Sequence, residues 1–199
     1  VRLFYMNPKD ILNSGGILLY PTDTLYGLGV DALSVEALKK LRVLKGREDG
    51  KPISIVVADM KMAEEYAEVT PLALKLAEAF LPGKLTLILK AKSNLPTELT
   101  AGTGTVGIRI PNHILCLNIV RELGRPYTAT SANVSDMDSK SSAQEILTQF
   151  ADRAGMIDRV IDVGELSESL PSTVVDARGD MPHILREGAI SKEDIQNVF

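Results

Sequence analysis

Apolar and polar residues along this chain fall into blocks that read as strands and helices taking turns. Asn7-Pro8 has the form of a helix N-cap and first helical residue, and Gly15-Gly16 ends that short helix. Ile17 to Tyr20 is an apolar run stopped by Pro21, which predicts a buried strand delivering Thr22-Asp23-Thr24-Leu25-Tyr26-Gly27-Leu28-Gly29 as a loop at its end. Ser34 caps a helix in which Val35, Leu38, Leu41 and Leu44 recur at helical spacing. That spacing leaves Lys39, Lys40 and Arg42 off the core stripe, and Lys45 and Arg47 where the helix runs out. Ile53 to Ala58 reads as a β-branched strand, Asp59 opens a helical stretch through Glu68, and Thr70-Pro71 starts a helix that stops at Pro82-Gly83.

The second half follows the same grammar without repeating the sequence. Leu85 to Leu89 and Val106 to Ile110 read as strands, with a loop rich in Thr, Pro and Gly from Ser93 to Gly104 between them. Asn112 is placed to cap a helix ending near Gly124, and Tyr127 to Thr130 forms a short strand leading into Ser131-Ala132-Asn133. A polar loop, Asp136 to Ser142, precedes a helix through Phe150. Short strands follow at Val160 to Val163, Thr173 to Val175 and His183 to Leu185; Ser191 then caps a last helix with Glu193 and Asp194 in its first turn. Several strands succeed one another with too few residues between them for helical crossovers. The expected fold is therefore α/β: a single domain over residues 1–199 with a large twisted mixed β-sheet flanked by helices.

Composition narrows the function classes. The chain has 199 residues, 45% of them hydrophobic, so a real core is available; a single domain of this size buries roughly 70% of its unfolded surface. Against 26 Asp and Glu stand 22 Lys and Arg, a net charge of -4, which argues against attachment to nucleic acid by bulk charge and makes any anion site a local one. The single cysteine, Cys116, sits in an apolar run and reads as a small buried hydrophobe in a protein of a reducing cytoplasm. No apolar run is long enough to span a bilayer and no signal-peptide pattern is present, so no membrane association and a cytoplasmic location are expected.

Familiar motifs fail on context. Gly102-Thr103-Gly104-Thr105-Val106-Gly107 matches a dinucleotide-binding pattern literally, but a strand follows it where a helix is required. Gly46 to Pro52 resembles a phosphate-binding loop one residue short, with Pro52 in place of the Ser or Thr that binds magnesium. His113 and His183 lack ligand spacing, so no protein-held metal is expected. What remains is a set of cations (Lys45, Arg47, Lys51, Arg109, Arg186) and neutral donors (Thr24, Ser131, Asn133, Ser139, Ser172) at strand ends, where ligand sites of α/β sheets lie. Guanidinium forks and lysine point charges suit a nucleoside triphosphate. Lys45 and Arg47 taken alone equally suit a helix C-terminus, and Tyr26 reads either as packing or as part of the site.

Seven segments in order resemble the YrdC-like family of L-threonylcarbamoyladenylate synthases. They are Pro21 to Gly29, Lys45-Gly46-Arg47 with Lys51-Pro52, Pro82-Gly83-Lys84-Leu85-Thr86, Val106 to Pro111, Ser131-Ala132-Asn133, Ser172-Thr173-Val174 and Leu185-Arg186-Glu187-Gly188. The resemblance covers nearly the whole chain. It implies a YrdC-like fold, similar to that of dihydroxybutanone-phosphate synthase, and a reaction in which L-threonine, bicarbonate and ATP give threonylcarbamoyl-AMP and pyrophosphate. Other proteins then use that product to modify tRNA.

The same resemblance implies the roles. Lys45, Arg47, Ser131 and Asn133 are the expected catalytic signatures. Arg47, Lys51, Thr105, Ser131, Asn133, Ser139 and Arg186 are expected on ATP, and Thr24, Arg109 and Ser172 on threonine. Magnesium is expected through the ATP phosphates. Lys45→Ala or Arg47→Ala is expected to abolish turnover with the unfolding midpoint nearly unchanged.

The chain also departs from the family pattern. Glu48-Asp49 stands where a proline is expected, and Ile53-Ser54-Ile55-Val56-Val57 where some relatives carry a histidine that helps the amino acid. Ending at Phe199, the chain is expected to be the short form, without the linker and extra C-terminal domain. The resemblance leaves two other function classes in view, although the net charge of -4 counts against the first and no carboxylate cluster near the signatures favours the second. One is a double-stranded RNA or tRNA binder using a basic rim of Lys39, Lys40, Arg42, Lys45 and Arg47; the other is a sugar-phosphate lyase, which would need clustered metal-binding carboxylates.

Overall fold

The computed structural model describes residues 7–46 and 50–199. Among these, ten strands form one mixed sheet. They are β1 (Leu18–Tyr20), β2 (Gly27–Gly29), β3 (Ser54–Val56), β4 (Ala67–Glu68), β5 (Leu85–Ala91), β6 (Thr105–Arg109), β7 (Tyr127–Ser131), β8 (Arg159–Val160), β9 (Thr173–Asp176) and β10 (His183–Arg186). Their order across the sheet is β10-β9-β5-β6-β3-β7-β2-β1-β8, with β4 also paired to β5. β3 runs parallel to β6, with Ile55 opposite Ile108, and antiparallel to β7, with Ser54 opposite Ala129. β5 is antiparallel to β6 and parallel to β9.

The helices are α1 (Pro8–Asn13), α2 (Val35–Lys45), α3 (Met60–Tyr66), α4 (Pro71–Phe80), α5 (Thr97–Thr100), α6 (Ile114–Leu123), α7 (Ala143–Phe150) and α8 (Lys192–Gln196). Six of these starts carry side-chain caps: the side chains of Asn7, Ser34, Asp59, Thr70, Ser142 and Ser191 each accept a backbone N–H of the first turn. Gly46, at φ 60, ends α2 in the left-handed conformation open to glycine.

Because side chains alternate across a strand, each strand writes to both faces of the sheet. One face carries Leu19, Leu28, Ile55, Leu87, Ile108 and Val175 into the main core, beneath α2, α4 and α7. On the other, Leu18, Tyr20, Val56 and Tyr127 pack under Leu12 of α1 and Cys116, Ile119, Val120 and Leu123 of α6. This second core covers only part of that face. Further along it, the same alternation presents Ser54, Thr86, Gly107 and Ala129, small or polar positions. The domain's cavity opens there.

The structure departs from the sequence expectation in several places, among them the strand expected at Val160 to Val163, which spans only Arg159–Val160. Gly27 to Gly29 is a strand, not loop: a Cβ at Gly27 would lie 2.9 Å from the Tyr20 ring and one at Gly29 3.0 Å from that of Tyr127, so the glycines serve close packing rather than a turn. The helix expected from Asp59 through Glu68 stops at Tyr66, because Ala67 and Glu68 pair with β5. A four-residue helix, α5, interrupts the predicted 93–104 loop. Asn112 does not cap α6; His113 stands at the N-cap, and the Asn112 N–H donates to Asp23 instead.

Candidate active site

The cavity on the open sheet face has a volume of about 620 Å³. Its first wall is the loop between β1 and β2. Thr22 Oγ1 accepts the N–H groups of Thr24 and Leu25 and donates to the Leu25 carbonyl, which closes the loop into a tight turn. The turn buries Asp23, whose carboxylate accepts from Arg109 Nη2 at 2.9 Å and from the Asn112 N–H at 3.0 Å. Arg109, at the end of β6, is thereby held with Nη2 also 3.5 Å from Thr24 Oγ1. Its Nε is buried and has no hydrogen-bond partner among the described residues.

The opposite wall is the turn after β7. Asn133 Oδ1 accepts from Ser131 Oγ, while its amide donates to the carbonyls of Val134 and Met137. Lys45, from the last turn of α2, is only 2% exposed and runs beneath this turn. Its ammonium donates to the carbonyls of Ser131 and Asn133 and to Asn133 Oδ1. The two sequence signatures therefore meet as one hydrogen-bonded unit.

A third wall comes from β5, β9 and the segment entering β9. Thr86 and Ser172 share a hydroxyl hydrogen bond of 2.8 Å, both buried. Arg186 of β10 reaches back to donate to the Ser172 carbonyl at 2.7 Å. Burial first, and the positive charge of Arg109 second, push the Arg186 guanidinium below its usual range. Two guanidiniums that disfavour each other across a cavity create a place where an anion relieves both.

Of the residues expected at the site, Thr24, Arg109, Ser131, Asn133, Ser139, Ser172 and Arg186 line this one cavity. Four stand elsewhere or outside the description. Lys45 lies behind the wall, turned to backbone carbonyls. Lys51 is exposed and paired to Asp136 at 2.9 Å. Thr105 begins β6 at the end away from Arg109, roughly 13 Å along the strand, with its hydroxyl bonded to that of Thr103. Arg47 lies outside the described residues, as do Glu48 and Asp49.

The basic rim is also reshaped. Arg42 is buried against the carbonyls of Glu98 and Lys51, so it and Lys45 present no charge to the surface. The expected stripe fails here because α2 is covered on more than its leucine face.

Asp23, Ser54, Thr86 and Tyr26 complete the site. Thr86 closes the Pro82-Gly83-Lys84-Leu85-Thr86 segment and Ser54 stands in the stretch that departs from the family pattern, but neither was assigned a role from sequence. Tyr26, open between two readings, is both packed and at the site: 1% exposed, on the cavity wall, with its hydroxyl donating to the Gly164 carbonyl at 2.8 Å. Among the described residues, no group of three or more His, Cys, Asp or Glu side chains is placed to hold a metal, and no helix is long and apolar enough to cross a membrane.

Residues 10–188 match the Sua5/YciO/YrdC family model, described as "Telomere recombination". The chain belongs to the Sua5/YciO/YrdC family. A Bacillus subtilis relative named threonylcarbamoyl-AMP synthase is 38% identical over 191 residues, covering 95% of this chain and 54% of its own. A Methanocaldococcus jannaschii relative is 42% identical over 183 residues, covering 92% of this chain and 84% of its own. The crystal structure of Pyrococcus abyssi Sua5 complexed with L-threonine superposes with a TM-score of 0.89 at 36% identity, over 96% of this chain and 55% of that one. The chain thus spans about half the length of the Bacillus and Pyrococcus relatives, and the family fold accounts for its single mixed sheet.

Proposed function

We propose that this chain acts as an L-threonylcarbamoyl-AMP synthase, forming threonylcarbamoyl-AMP and pyrophosphate from L-threonine, bicarbonate and ATP. The observation that carries this reading is one cavity lined by Thr24, Arg109 and Ser172 together with Ser131, Asn133, Ser139 and Arg186. Its size lies within the range of small-molecule sites, roughly 300–1,000 Å³. The name of the Bacillus relative supports it, as does the L-threonine complexed with the Pyrococcus protein.

In this reading the threonine carboxylate meets the Arg109 guanidinium, which its Asp23 partner fixes in place. The threonine amine adds to the carbon of bicarbonate, water leaves, and a carbamate forms. A carbamate oxygen then attacks the α-phosphorus of ATP; the bond from that phosphorus to the bridging oxygen breaks, and pyrophosphate carries the electron pair away. No protein nucleophile is required. Ser131, Asn133, Ser139 and Arg186 align the nucleotide, and alignment with charge stabilisation carries most of phosphoryl-type catalysis. Lys45 acts here by shaping the Ser131–Asn133 turn. Magnesium enters with the triphosphate as part of the substrate, the product passes to proteins that modify tRNA, and the work is cytoplasmic.

The test is pyrophosphate release from ATP and bicarbonate with and without L-threonine. Threonine-dependent release is expected. Its absence would refute the synthase reading, and salt-sensitive binding of double-stranded RNA without turnover would favour an RNA-binding role instead.

A further inference from the structure

The segment between β8 and β9 crosses almost the whole sheet. These strands lie seven spacings apart in the sheet order, roughly 34 Å at about 4.8 Å each. The residues available, 161–172, reach at most about 43 Å. They carry no helix or strand and are mostly exposed. The result is a strap with little slack, running along the cavity and giving it Ser169, Pro171 and Ser172.

Side-chain and backbone bonds tie the strap down along its length. Lys84 Nζ donates to Ser169 Oγ, Ser141 Oγ to Glu165, and the Leu166 N–H to the Ser141 carbonyl. The ends are held too, by the Ile161 N–H on the Leu19 carbonyl and by Thr86 and Arg186 on Ser172; between them lies a deeper tie. Tyr26 Oη accepts the Val163 N–H at 3.1 Å and donates to the Gly164 carbonyl at 2.8 Å, while Asp162 Oδ1 accepts the Gly164 N–H and holds that turn in shape. Burial pushes the Tyr26 phenol up, so it keeps its proton and both bonds through the neutral range.

Tyr26 belongs to the same loop as Asp23 and Thr24, and the strap ends at Ser172. Its hydroxyl is thus a cross-link between two walls of one subsite. We propose that Tyr26 is a positioning residue, whose hydroxyl clamps the 161–172 strap to the β1–β2 loop and so sets the distance between Thr24 and Ser172 across the threonine subsite. This rests on the synthase reading for the identity of the ligand, but not for the clamp itself.

Tyr26→Phe keeps the ring and removes the clamp. It should raise the threonine KM by roughly 5- to 10-fold, the worth of one or two hydrogen bonds, with kcat within about twofold. Amide hydrogen exchange of the free protein should quicken in 161–172 and stay at wild-type rates in β5 and β6. Val163→Pro strikes the same clamp from the strap side by removing the donor N–H, and should give the same threonine KM shift. Unchanged exchange in 161–172, or an unchanged threonine KM in both variants, overturns the proposal. Should the wild-type protein release no pyrophosphate, the synthase reading falls alone, and the exchange comparison still decides the clamp.

Discussion

At the scale of single residues, the site is built by side chains that bind other parts of the chain before they bind any ligand. Lys45 shows this most clearly. Its ammonium is buried on three oxygens of the Ser131–Asn133 turn, so removing it leaves buried acceptors without a donor. Lys45→Met should lower unfolding stability by about 2–3 kcal/mol, measured by denaturant titration, as well as turnover. That replaces the sequence expectation of an unchanged midpoint. Asp23 has the same logic on the other wall. Asp23→Ala strands the Arg109 guanidinium and should cost about 3 kcal/mol, with weaker threonine binding by calorimetry. Thr24, Arg109 and Ser172 were legible as motif members. Asp23 lies in the same motif, but its role was not legible, because nothing in Pro21-Thr22-Asp23-Thr24 says that its partner lies 86 positions on.

At the scale of elements, strands chosen for two-sided duty explain why the cavity has a floor. In β6 the alternation sends Val106 and Ile108 to the core and turns Gly107 and Arg109 to the other face, where Arg109 lines the cavity and Gly107 packs against Ser54 and Thr86 of its floor. A Cβ at Gly107 would fall 2.3 Å from Ser54 Oγ and 3.2 Å from Thr86 Cγ2. Gly107→Val should therefore destabilise by about 1–3 kcal/mol through overpacking and abolish threonine binding, read by thermal unfolding and calorimetry. Helix starts were legible because a cap is a local bond between neighbours in sequence. The strand at Gly27–Gly29 was not, because its glycines answer to tyrosine rings on β1 and β7 rather than to their own backbone.

At the scale of the whole molecule, two cores share one sheet, and the smaller one lies beside the site on the same face, with Tyr20 common to both. Cys116 lies in it, and burial raises its thiol from 9.0 to about 12; burial also raises Tyr20 and Tyr127. The unfolded thiol ionises around its ordinary value while the native one keeps its proton. Stability should hold below that value and fall as pH climbs from about 9 toward 12, seen as a declining denaturant midpoint, with Cys116 slow to react with thiol reagents until unfolding. The sequence by itself determined the α/β class, most element starts, the buried cysteine and the family, since these follow from periodicity, caps and motifs that are local in the chain. Only the tertiary structure decided which cations face the cavity: Arg109 and Arg186 do, while Lys45 and Arg42 turn inward to carbonyls and Lys51 takes a carboxylate on the surface. A charge is satisfied by whatever oxygen the folded chain brings near it, and that proximity is not written in the spacing of residues.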